Sequence, residues 1–276
     1  MDFNEVHFFY IFTLLNHIPI IMKTTGIIIR FFAGLMALSY TGVAANAQSF
    51  ETEQVTREIT TQLNKDGSEK LELYVSVDWP ASSYNAVITE KMQKAIIYNM
   101  SSMLDSWGVS ASQITTSNLT QAIYIYNELL VENFKDWLGD GANGAEISLT
   151  GSFSHYHKNF ACCQFVLWYY VNHCAHPNIY EQYLVLDTIT GDIVTVNDLF
   201  IPGYRTALEN ILNQQKIYIS IDDIELEKEH DDRTRYAISD KFYLDGQGIT
   251  FIYDYEPYGF GTYIPVPWHK ISHILK

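Results

Sequence analysis

The sequence predicts an α+β fold, with antiparallel β-sheets, helices packed on one side and two joined subdomains meeting near residue 145. Two observations carry this. Apolar residues recur at helical spacing in two stretches between residues 85 and 138. From Glu146 onward, runs rich in aromatic and β-branched residues follow one another, separated by turn signals.

Residues 1–21 are apolar and aromatic but carry Asn16 and His17 in their middle. They read either as a second hydrophobic span or, preferably, as a mis-assigned start upstream of Met22. From Met22 the chain has the layout of a secretory leader. Lys23 is the basic end, Ile27 to Leu38 an apolar core broken by Arg30 and Gly34, and Ala45-Asn46-Ala47 a small-residue cleavage site. Residues 22–47 are therefore expected to be a signal peptide ending at Ala47, with a mature product in the periplasm or outside the cell. The leader's core is shorter than the ~20 residues of a membrane helix, and no cysteine follows the cleavage site for a lipid anchor. No stable membrane span is expected after cleavage.

The N-terminal subdomain is placed at residues 48–145. Residues 48–68 are polar and end in the turn Asp66-Gly67-Ser68. Leu71 to Asp78 alternates apolar and polar residues, as a half-buried strand does, and Pro80 is expected to end it. Ser82 to Asn85 offers N-capping side chains. Ile88, Met92, Ile96, Met100, Met103 and Trp107 then form one helical stripe stopped by Gly108. A second helix is predicted from about Ser117 to Leu138, with Leu119, Ile123, Tyr126, Leu130 and Phe134 on one face. Asp140, Asn143 and Glu146 do not match the spacing of a calcium loop.

The C-terminal domain is placed at residues 146–276. Strands are predicted over Glu146–His155, Phe160–Val171, Ile179–Asp187 and, after a tight turn at Thr188 to Asp192, Ile193–Val196. A helix is expected around Tyr204 to Gln215. Ile221 to Arg235 is densely charged and reads as a solvated excursion. A hairpin follows from Lys241 to Tyr253, then the loop Tyr255 to Tyr263, a strand at Ile264 to Pro267, and a short helix from Trp268 to Leu275.

Removing 47 of 276 residues leaves about 229, enough for one large domain or two small ones. The net charge of −15 is unchanged by cleavage, because Asp2 and Glu5 offset Lys23 and Arg30. Such a surface repels nucleic acid and anionic lipid, and suits a cationic partner or simple solubility. Three cysteines are present. Cys162 sits at the start of a predicted strand that separates it from Cys174 by about 35 Å, far beyond disulfide reach. Free, mostly buried thiols are expected.

Three stretches resemble an extracytoplasmic domain family of unknown function found in the lysozyme-sensing anti-sigma factor RsiV. They are Tyr169 to Asn178, Leu186 to Phe200, and Lys241 to Trp268 with its Tyr255-Glu256-Pro257-Tyr258-Gly259-Phe260-Gly261 loop. Leu71 to Leu104 more weakly resembles the accessory domain of the deacetylase PdaC. Where the family has Gly-Ala-His-Gly, this chain has Cys174-Ala175-His176-Pro177. Proline fixes φ where glycine leaves it free. The resemblance implies an exported binding module whose partner is a lysozyme-like protein or a peptidoglycan fragment. It implies no deacetylase activity.

No nucleophile elbow, phosphate loop or paired-carboxylate motif is visible. His155, His157, His173 and His176 near cysteines invite a zinc reading, but no carboxylate-rich surround accompanies them. No metal or other cofactor is expected. His176 is expected either to order its hairpin turn through ring hydrogen bonds or to contact a ligand. The predicted ligand-binding residues are Tyr255, Glu256, Tyr258 and Gly261, beside His173 and His176. Tyrosine supplies apolar area with a polar tip, and glycine exposes backbone. The alternatives are an envelope polysaccharide hydrolase and a purely structural module.

Overall fold

The computed structural model describes residues 50–276 apart from Tyr84, 138–143, His173, 222–223, 229–234 and 256–259. The readings for residues 1–21, the signal peptide, Asp140 and Asn143 lie outside the described residues. Ala45–Lys276 form one compact unit.

Strand β2 (Lys70–Ser82) sets the first layer. Leu71, Leu73, Val75 and Val77 alternate with polar residues and are fully buried on one face. Helices α1 (Ala86–Met103) and α2 (Leu119–Trp137) cover that face. The predicted stripe residues Ile88, Met92, Ile96 and Met100 of α1 are buried, as are Leu119, Ile123, Tyr126, Leu130 and Phe134 of α2. Asn85 caps α1, its side-chain oxygen accepting the Val87 N–H at 2.8 Å. The Tyr126 hydroxyl donates to the Ile97 carbonyl at 3.0 Å and lies 3.2 Å from the Ser101 hydroxyl, tying the two helices together.

The first sheet has the order β1-β2-β3-β4-β5, with β1 at Glu51–Gln62, β3 at Gly144–His157, β4 at Phe160–Val171 and β5 at Asn178–Asp187. Its pairs are antiparallel except β2 with β3, which run parallel. A parallel pair needs a crossover, and α1 with α2 supplies it. One hydrogen-bonded sheet thus runs across residue 145. Strand β1 lies in the stretch expected only to be polar. Its inward Val55 and Ile59 are too few to announce a strand, and pairing along β2 holds it. Pro80 does not end β2. It sits past Val77, the last β2 residue paired with β3, where a missing N–H costs no ladder bond.

The second sheet has the order β7-β6-β10-β9-β8. Its strands are β6 (Ile217–Ile221), β7 (Ile224–Lys228), β8 (Phe242–Leu244), β9 (Gly248–Tyr255) and β10 (Phe260–Pro267). Strand β7 falls inside the stretch expected to be a solvated excursion. It reads Ile-Glu-Leu-Glu-Lys at the sheet edge, where charge discourages further pairing. Short helices α3 (Val196–Leu199), α4 (Arg205–Leu212) and α5 (Trp268–Ile271) complete the fold. The strand expected at Ile193–Val196 is a single bridge from Ile193 to Leu186, because Asp198 accepts both the Thr195 N–H and hydroxyl and starts α3 there. Gly191 closes the preceding turn at φ +74°, and a Cβ there would lie 2.7 Å from the Ile88 carbonyl of α1.

The sheets share a second core. Cys162 and Val185 of the first pack with Leu244, Phe251, Ile264 and Val266 of the second. The Cys162 sulfur lies within hydrogen-bonding distance of both the Leu244 N–H and its carbonyl. Cys162 and Cys163 are buried free thiols; Cys174 is free and exposed.

Candidate functional site

Period-two alternation decides what the first sheet presents away from the helices. The outward residues include Glu58 on β1, Lys70, Glu72, Tyr74 and Asp78 on β2, and Glu146, Ser148 and Thr150 on β3. On β4 and β5 they include Val166, Trp168, Tyr170, Ile179, Glu181 and Tyr183. Register places these side by side. Glu58, Tyr74, Ser148, Trp168 and Ile179 form one row across all five strands, and Glu72, Glu146 and Tyr170 form the next. Trp168 and Tyr74 are half-buried, and Ile179 is 47% exposed. Lys70 is the cation among these outward positions, and it is paired with Glu72. Burial and the neighbouring Glu72 carboxylate raise the Glu146 carboxyl above its usual range, with Lys70 opposing. Burial also raises Asp78, although the Phe153 N–H donates to it at 3.2 Å.

A bulge between Phe153 and His155 in β3 shifts the alternation by one residue. It turns His155 and His157 toward the second sheet. His155 stacks on Tyr243 with ring centres 4.2 Å apart, and His157 stacks on Trp268 at 4.6 Å. Burial lowers both imidazoles below the usual histidine range. Each ring thus packs on an aromatic partner, and no group of three or more metal-ligating side chains is found among the described residues.

The two sheets meet on the outer face through Glu181. The Tyr263 hydroxyl of β10 donates to the Glu181 carboxylate of β5 at 3.0 Å. Tyr183 packs against Tyr243 at 5.3 Å, and its hydroxyl, hydrogen-bonded to Tyr263, is driven upward in pKa chiefly by burial. Gly261 explains how the Tyr263 ring folds back. A Cβ at Gly261 would lie 2.9 Å from the ring and its hydroxyl. The glycine foreseen as exposed backbone therefore gives space to a neighbouring side chain.

Of the other predicted ligand residues, Tyr255 ends β9 opposite Phe260. Glu256, Tyr258 and His173 lie outside the described residues. His176 is exposed in the β4–β5 connection, with ring Nδ1 3.0 Å from the Pro177 carbonyl; Tyr170 also ties this turn, donating to the Cys174 carbonyl at 3.3 Å. Glu181, Trp168 and the Glu72–Glu146 neighbours were missed in the sequence. Outward residues of paired strands look like ordinary polar alternation until register sets them side by side.

No family model and no curated protein matches the chain. Its fold is found in solved structures. A DUF3298 family member from Bacteroides fragilis is 18% identical, with 84% of this chain and 96% of that one covered at a TM-score of 0.64. A DUF3298 family protein from Pseudomonas aeruginosa is 12% identical, with 83% and 95% covered at a TM-score of 0.52. The chain is thus an α+β protein with the fold of these DUF3298 structures.

Proposed function

We propose that this is an exported, non-enzymatic envelope protein that binds a cationic, lysozyme-like protein on the outer face of the first sheet and the adjoining end of β9 and β10. The observation that supports this is the row arrangement of that face, which interleaves carboxylates with Tyr74, Trp168, Tyr170 and Ile179 across five strands. Large aromatic area within a predominantly anionic field suits a basic partner, because charge steers the encounter and apolar contact holds it. The whole-chain charge of −15 acts in the same direction. From the sequence, Tyr255, Glu256, Tyr258, His173 and His176 are assigned to this contact, and Gly261 serves it by making room for the Tyr263 ring. Export rests on the leader at 22–47, and a mature amino terminus at Gln48 by mass spectrometry is the result expected.

The test is a titration of lysozyme and of muropeptides against wild type and a Trp168→Ala, Glu181→Gln variant, at low and high salt. Lysozyme binding that weakens with salt and with the variant supports the reading, since screening acts over ~8 Å at physiological ionic strength. Binding of muropeptides alone replaces the protein ligand by a glycan. Equal lysozyme binding by a folded variant assigns the face a structural role. One observation favours a hydrolase as the second reading, the juxtaposed Glu72 and Glu146 with Glu146 raised in pKa. Turnover of peptidoglycan fragments that is lost in Glu146→Gln would establish it. Binding is preferred because Lys70 already engages Glu72.

A further inference from the structure

On the helix side of the first sheet, away from the outer face, a groove of about 380 Å³ opens between β1, the end of β2, the middle of α1 and the start of α2. Val55 and Trp79 line it with apolar surface, and Gln93, Ser117 and Thr120 add polar groups. Glu53 and Arg57 are also lining residues. They lie on the same face of β1, on either side of Val55 and about 13 Å apart along the strand at ~3.3 Å per residue. The Arg57 guanidinium is fixed from two sides, donating to the Thr56 carbonyl at 2.7 Å and to the Thr120 hydroxyl at 3.2 Å. Two of its five N–H groups are so used. Neither Arg57 nor Glu53 forms an ion pair with a described residue.

We infer that this groove is a binding site for a short dipolar peptide with free termini, its carboxylate at Arg57, its ammonium at Glu53 and an apolar side chain over Val55 and Trp79. The charges carry the assignment. A groove with a cation at one end, an anion at the other and apolar residues between them is complementary to a zwitterion of matching length. Two or three extended residues span about 7–10 Å, and both side chains are long enough to make up the rest of the ~13 Å separation along β1. A guanidinium held in place loses little freedom on meeting a carboxylate and can do so through two parallel hydrogen bonds.

The probe is the tripeptide Ala-Leu-Ala, with N-acetylated and C-amidated forms, titrated by calorimetry into wild type, Arg57→Met and Glu53→Gln chains. Amidation is expected to weaken binding to wild type roughly tenfold or more, the scale of a hydrogen bond to a charged group, and to leave Arg57→Met binding unchanged. Acetylation should do the same for wild type and Glu53→Gln. Both side chains are exposed, so the variants should keep the wild-type unfolding temperature. Absence of binding at millimolar peptide overturns the proposal. So does binding indifferent to the caps, or a cap effect that persists in the matching variant.

Discussion

Tyr263→Phe tests the junction on which the outer face depends. The substitution removes one oxygen, and with it the hydrogen bond to Glu181 that joins β10 of the second sheet to β5 of the first. A hydrogen bond to a charged group contributes about 1.5–3 kcal/mol. Glu181 and Tyr263 are only half-buried, so the lower end, about 1.5 kcal/mol, is expected. For a chain of this size that is about 3–6 °C in unfolding temperature, or roughly 0.5 M in urea midpoint. Because Tyr263 also meets Tyr183, the pair term must be isolated by a cycle of wild type, Tyr263→Phe, Glu181→Gln and the double variant. A coupling of about 1 kcal/mol is expected, and additivity within ~0.3 kcal/mol refutes the bridge. Gly261→Ala supplies an independent perturbation. Its methyl would press on the Tyr263 ring, so it should abolish the same coupling while leaving the hydroxyl in the chain.

Tyr126→Phe should cost about 1 kcal/mol in urea unfolding, because Ser101 keeps its own bond to the Ile97 carbonyl when the tyrosine hydroxyl is lost; a loss above about 3 kcal/mol would mean that the hydroxyl does more than join the helices. His155 and His157 make stability depend on pH. Burial depresses both, so the unfolded chain takes up protons near pH 6.5 while the folded chain resists them. Stability present above about pH 6.5 is therefore lost as pH falls toward the folded pKa values. The urea midpoint should drop between about pH 7.5 and 5.5, and drop less in a His155→Phe, His157→Phe chain; equal slopes would contradict this assignment. Among the thiols, burial pushes Cys162 up to about 12 and raises Cys163 well above its ordinary value, whereas Cys174 is exposed. A thiol reagent should label Cys174 quickly in the native protein and all three cysteines after non-reducing denaturation, and fewer than three then would reveal a disulfide.

Sequence by itself determined the elements whose information is local. The stripes from Ile88 to Met100 and from Leu119 to Phe134, the Asn85 cap and the run from Phe160 to Val171 each carry their own periodicity, and the structure places them within a few residues. The weakly patterned pieces did not read locally. Strand β1 has two inward apolar residues and is defined by its partner β2, and β7 hides among acidic residues because its apolar positions are only Ile224 and Leu226. Ile193 to Val196 read as extended from its β-branched residues, and the capping arrangement from Thr195 to Asp198 overrides that propensity.

Tertiary structure alone decided the parallel β2–β3 pair and the composition of the candidate site. A strand's chain order does not say which strand it will lie beside, and helices α1 and α2 could have closed a separate unit before residue 145 rather than crossing over to β3. The outer face depends on register. Glu72 and Glu146 are distant in the chain and become neighbours only through the β2–β3 alignment. Glu181 and Tyr263 meet only because two sheets converge and Gly261 leaves room for a ring. Hydrophobic periodicity records which way a side chain points, but the identity of what it meets there is fixed by contacts between residues far apart in sequence.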